Sequence, residues 1–142
     1  MKKDFKGLLK KASVVACTFA VFGGAIMLPS QARYVQELHD FRVNYYGSES
    51  YTAALKKTVD GSSKHGAAVI NLKGDDGTAW IDVNLRDGSN TSYGFVQLQR
   101  GNRVAFGNRA KAGSYYKLGI RKTYVTGNGV CFISGSWSPD NK

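Results

Sequence analysis

His39, His65 and Cys131 are the side chains beyond residue 32 best suited to act as base or nucleophile near neutral pH. His39 is followed by Asp40, and a carboxylate beside an imidazole is what a hydrolytic triad uses for orientation. A triad also needs an activated Ser or Cys, and no Gly-x-Ser-x-Gly elbow presents one. Cys131 sits in the apolar run Val130-Cys131-Phe132-Ile133, where burial is expected and a buried thiol is inert. His-Glu-x-x-His, Cys-x-x-Cys and a Walker loop are absent, so zinc and nucleotide hydrolysis lack their minimum parts. Glu37 and Glu49 are the only glutamates, and their spacing identifies no glycosidase pair. These residues point to no catalytic set, no metal and no cofactor.

Acidic turns are the next candidates. Asp75-Asp76-Gly77 and Asp87-Gly88-Ser89-Asn90 offer oxygens to calcium if two loops meet at one end of the fold. Neither has the alternating ligands and terminal Glu of an EF-hand loop. Asp-Gly between strands is first of all a hairpin turn, and that is the preferred reading of Asp75, Asp76 and Asp87.

Basic and aromatic residues remain. Arg86, Arg100, Arg103, Arg109, Lys111, Lys117, Arg121 and Lys122 crowd the second half, interleaved with Tyr93, Tyr115, Tyr116, Tyr124 and Trp137. Guanidinium groups among aromatic rings suit cation–π contact, ring stacking and bidentate anion binding. The plainer reading is that the charges keep a β protein soluble and block pairing at sheet edges. The candidate ligand-binding residues are Trp80 and Tyr115 for stacking, with Arg100, Arg103, Arg109 and Arg121 for anionic groups.

The elements that must position these residues are short strands. Residues 1–32 read as a secretory signal helix: Lys2, Lys3, Lys6, Lys10 and Lys11, then the uncharged run 12–28, Pro29, and Ser30-Gln31-Ala32. Cleavage after Ala32 would leave Arg33 first. An uncleaved anchor is the minor alternative, and Cys17 as a lipidation site is weaker still, because only five uncharged residues separate it from Lys11. The chain carries 20 basic and 10 acidic residues; five and one of these lie in 1–32, leaving 15 against 9, a net +6. Such a charge favours anionic polymers or headgroups, and export makes nucleic acid a poor partner.

From residue 33 onward one domain is expected. Period-two alternation predicts strands over 41–46, 51–59, 67–73, 79–85, 91–99, 103–106, 114–122 and 130–137, separated by Gly/Asn/Asp turns. Residues 34–40 are the segment most open to a helical reading, and 52–57, read as strand, also holds the helix formers Ala53, Ala54 and Leu55. About 7–8 strands without a long helix predict an all-β, single antiparallel β-sandwich, or a Greek-key or jelly-roll-like barrel. The 114–122 and 130–137 strands are expected to pair as neighbours. Alternation from Cys131 puts Ile133, Gly135 and Trp137 toward the core, which makes Trp137 structural. Cys131, the one cysteine after residue 32, rules out an intramolecular disulfide there, and a monomer without a Cys131 cross-link is expected.

Ser114-Tyr115-Tyr116-Lys117-Leu118-Gly119-Ile120-Arg121, Ser134-Gly135-Ser136-Trp137-Ser138-Pro139-Asp140 and the Lys-rich start ending Pro29-Ser30-Gln31-Ala32 resemble small exported proteins of Gram-positive bacteria. Those proteins have no assigned function. The resemblance implies a secreted β-sandwich and carries over no catalytic residue. The expectation is a secreted, basic, non-catalytic protein that binds an anionic cell-wall polymer, glycan or membrane surface. A secreted antagonist (bacteriocin-like toxin or enzyme inhibitor) is the alternative, and a secreted hydrolase comes third.

Overall fold

Ile81, Val83 and Leu85 alternate with Asp82 and Asn84, and that pattern gives a strand one apolar face to bury. The computed structural model describes residues 33–74, 79–123 and 129–141. Among them are nine strands: β1 Gln36–Val43, β2 Ser50–Tyr51, β3 Leu55–Lys56, β4 Ala68–Leu72, β5 Trp80–Arg86, β6 Ser92–Gln99, β7 Arg103–Phe106, β8 Tyr115–Lys122 and β9 Cys131–Ser138. Residues 1–32, where a signal with cleavage after Ala32 is expected, lie outside the described residues, as do Asp75, Asp76, Tyr124, Gly127 and Asn128.

Two antiparallel sheets pack as a sandwich. One runs β1-β9-β4-β7; the other runs β2-β8-β5-β6, with β3 also paired to β8. Val43, Ile70, Leu72, Ile133 and Trp137 from the first sheet meet Ile81, Val83, Leu85, Leu118 and Ile120 from the second. Trp137 is 1% exposed, and its indole N–H donates to Gln36 Oε1 at 2.9 Å, so its polar edge is satisfied inside the fold. Gly135 in the same strand has φ 151°, and a Cβ there would lie 2.0 Å from the Asn71 carbonyl oxygen; only glycine lets β9 approach β4 so closely.

Four expectations need correction. Strands β8 and β9 are not neighbours: β9 lies between β1 and β4, and β8 lies between β5 and β2 with β3. Residues 123–130 separate them in sequence, far more than the two-residue turns that force a hairpin, and the two strands belong to different sheets. Residues 36–40, open to a helical reading, belong to β1. A bulge at His39-Asp40 lets the strand follow β9, with Asp40 at φ 45° and its N–H donating to Ser134 Oγ. The 51–59 run is broken into β2 and β3 because the Thr52 hydroxyl, not a backbone carbonyl, accepts the Leu118 N–H at 2.9 Å. Cys131 is half-buried rather than buried; it sits opposite Val43 near the end of the β1–β9 ladder.

A buried ion pair fixes the chain's last described residues. Lys57 and Asp140 both have fully buried side chains, 3.1 Å apart. The Lys57 ammonium also donates to the Gly66 and Pro139 carbonyls at 2.6 and 2.5 Å. Asp140 in turn accepts from the Thr58 N–H and hydroxyl and from the Val59 N–H. With every polar group partnered, the pair can be buried at all.

Candidate functional site

The outward face of the five-stranded sheet carries an aromatic and cationic pattern that the register makes explicit. In an antiparallel ladder directly opposed residues share a face. One end of the β5–β8 ladder has Trp80, level with Gln99. The next outward row is Arg121, Asp82 and Gln97; then come Tyr51, Gly119, Asn84 and Phe95; then Lys117, Arg86 and Ser92. Beyond these lies Tyr115, opposite Lys56. Trp80, Tyr51, Phe95 and Tyr115 are 47%, 44%, 49% and 59% exposed. Rows two residues apart are separated by about 7 Å, so aromatic rows recur about every 14 Å with cations between them.

Polar networks tie the residues of this face together. Glu49 lies over Gly119, where a Cβ would come within 2.3 Å of its carboxylate. Arg86 grips Glu49 through Nε at 2.6 Å and Nη2 at 2.8 Å, and Asn84 Nδ2 adds a bond at 2.8 Å. Burial pushes the Glu49 carboxyl up, but hydrogen bonds and charge from Arg86, helped by Asn84 and Tyr51, hold it below its ordinary value. The Tyr51 phenol is pushed up, by burial first and then by the Glu49 charge. Asp82 accepts from Gln97 at 2.8 Å and from Arg121 at 3.4 Å, and this covering explains why Asp82 and Asn84 are buried on an outward face. Arg121 also stacks on the Tyr46 ring at 4.5 Å, and the Lys117 ammonium sits 4.3 Å from the centre of the Tyr51 ring.

The predicted residues divide between locations. Trp80, Tyr115 and Arg121 share the face, but Trp80 and Tyr115 stand at its opposite ends, eight residue levels or about 27 Å apart. Arg103 is on β7, at the edge of the other sheet, and donates to Asn141 Oδ1 at 3.0 Å. Arg100, in the turn after β6, donates to the Phe132 carbonyl. Arg109 follows β7 and lines an open groove of about 450 Å³ with Ser92, Tyr93, Gly94, Phe95, Gly107 and Asn108.

Tyr51, Phe95, Glu49, Tyr46 and Lys117 complete the face, and sequence reading passed over most of them as binding residues. Phe95 was readable: it alternates with Val96 and Leu98 and shares its phase with Gln97 and Gln99. Glu49 was not, because its partners lie 35 and 37 residues away.

Asp87 closes its own turn. Its Oδ1 accepts from the Ser89 and Thr91 N–H groups at 2.9 Å, and its Oδ2 accepts from the Tyr93 hydroxyl at 3.2 Å. Among the described residues no three of His, Cys, Asp and Glu lie together as a metal set. His39 is in the β1 bulge and His65 in the turn before β4, both exposed. Comparisons with protein-family models, curated proteins and solved structures found no match.

Proposed function

We propose that this chain is an exported, monomeric, non-catalytic protein whose five-stranded face grips an anionic, ring-bearing polymer of a cell surface, with cell-wall glycan as the leading class. The observation that carries the reading is the alternation of aromatic and cationic rows from Trp80 to Tyr115 on one face. Exposed rings offer stacking surface to sugar rings, and the cations between them suit acidic substituents. The carboxylates of this face, Glu49 and Asp82, are already engaged by arginines, which favours binding over acid–base chemistry.

Sedimentation of the purified protein with cell walls, and separately with anionic vesicles, tests this across a salt series. Binding to walls that weakens with salt and falls at least about tenfold in the Trp80→Ala/Tyr115→Ala variant is the expected result. No wall binding at low salt, or binding indifferent to both rings, would overturn it. Preference for vesicles would move the assignment to a membrane surface.

A further inference from the structure

The groove beside Arg109 has a construction distinct from the flat face next to it. One wall is the outer strand β6 at Ser92–Phe95, and the other is the loop Gly107-Asn108-Arg109. The loop is pinned to the strand: the Arg109 N–H donates to the Tyr93 carbonyl at 2.9 Å. Asn108 is consumed in holding it, donating to the Gly66 carbonyl at 3.0 Å and accepting the Ala110 N–H at 3.1 Å. Gly94 permits the close approach, since a Cβ there would lie 2.9 Å from both Asn108 Cβ and the Gly107 oxygen. Gly107 has open space where its own Cβ would be. The groove is thus fixed by backbone and amide bonds that leave its exposed side chains unencumbered.

Those side chains are an aromatic ring and a cation. Phe95 is 49% exposed. Arg86, Arg100, Arg103 and Arg121 all place their guanidinium groups on carboxylates, carbonyls or amides. Arg109 is exposed, and its described hydrogen bond runs through its backbone N–H. Asp87, the carboxylate bonded to the Tyr93 hydroxyl, also accepts from the Ser89 and Thr91 N–H groups. A guanidinium seeks a planar, bidentate anion, and a ring beside it seeks a flat, apolar surface. The volume is that of a small-molecule subsite.

We infer that this groove holds a single anionic sugar unit, its carboxylate or phosphate on Arg109 and its ring against Phe95. This rests on the polymer-binding reading and specifies the substituent that the polymer must carry.

The test is an amide chemical-shift titration of the labelled full chain with glucuronic acid, a hexose phosphate and neutral glucose. The expected result is saturable shifts at Gly94, Phe95, Gly107 and Arg109 with an anionic sugar and none with glucose. The responding acid identifies the source of the charge. Arg109→Gln should weaken that binding about tenfold and Phe95→Ala should weaken it further. Spectral dispersion reports that each variant is folded. Silence with both acids, equal response to glucose, or indifference to Arg109→Gln overturns the inference. Wall sedimentation that still depends on Trp80 and Tyr115 would then leave the polymer reading intact. Groove shifts in a protein that sediments with no wall would do the reverse.

Discussion

Trp80 and Trp137 have the same side chain and opposite surroundings: one is 47% exposed at the start of β5, the other 1% exposed in the core. Trp137→Ala empties a large volume inside a close-packed sandwich and strands Gln36, so it is expected to cost about 3–5 kcal/mol in chemical unfolding. Trp80→Ala removes an outward ring and is expected to change stability by no more than about 0.5 kcal/mol while weakening wall binding. Equal destabilisation by the two variants would show that Trp80 is a packing residue. Thr52 offers a second single-residue check, because its hydroxyl accepts the buried Leu118 N–H. Thr52→Val leaves that N–H unpaired at a cost of about 1–3 kcal/mol, and hydrogen exchange at the Leu118 amide should accelerate. An unchanged exchange rate would mean that the backbone had supplied another acceptor.

At the scale of elements, alternation was legible and partnership was not. β7 at Arg103–Phe106 and the inward set of Tyr116, Leu118 and Ile120 follow directly from period-two patterning. The same patterning cannot say which strand lies beside β9, because pairing across a sandwich is set by core filling and connection length. The β1 bulge was hidden for a related reason: His39 and Asp40 look like a break in the pattern until β9 brings Ser134 to the Asp40 N–H. The site was legible in kind but not in place. Trp80 and Tyr115 were identifiable as outward rings from their own strands, whereas their 27 Å separation, about eight residue rises, required the β5–β8 register. The arginines looked like a cluster in sequence, and the turn after β6 then sends Arg103 to the opposite sheet.

For the whole molecule, the Lys57–Asp140 clasp and the Arg86–Glu49 pair set the response to acid. Burial pushes the Asp140 carboxyl up, but hydrogen bonds from Thr58 and then Lys57 outweigh it and leave it below its ordinary value, as Glu49 also is. A depressed folded pKa means that the unfolded chain binds more protons as pH falls. The stability from both groups is therefore complete above the ordinary carboxylate range and lost as pH drops through their folded values. Asp140→Ala leaves Lys57 buried and unpaired, so a loss of about 3–5 kcal/mol is expected at pH 7. The gap to the parent protein should narrow as pH is lowered through the carboxylate range, and a gap constant with pH would show that the carboxylate charge is not what matters. The sandwich so fastened carries the aromatic–cationic face proposed to bind polymer. The most direct test of that account is acrylamide quenching of tryptophan emission with and without cell-wall polymer, since the chain has only Trp80 and Trp137. A readily quenched component from Trp80 is expected to become protected when polymer binds, with the Trp137 component unchanged. Polymer that carries the protein down while Trp80 stays as accessible as before would contradict it.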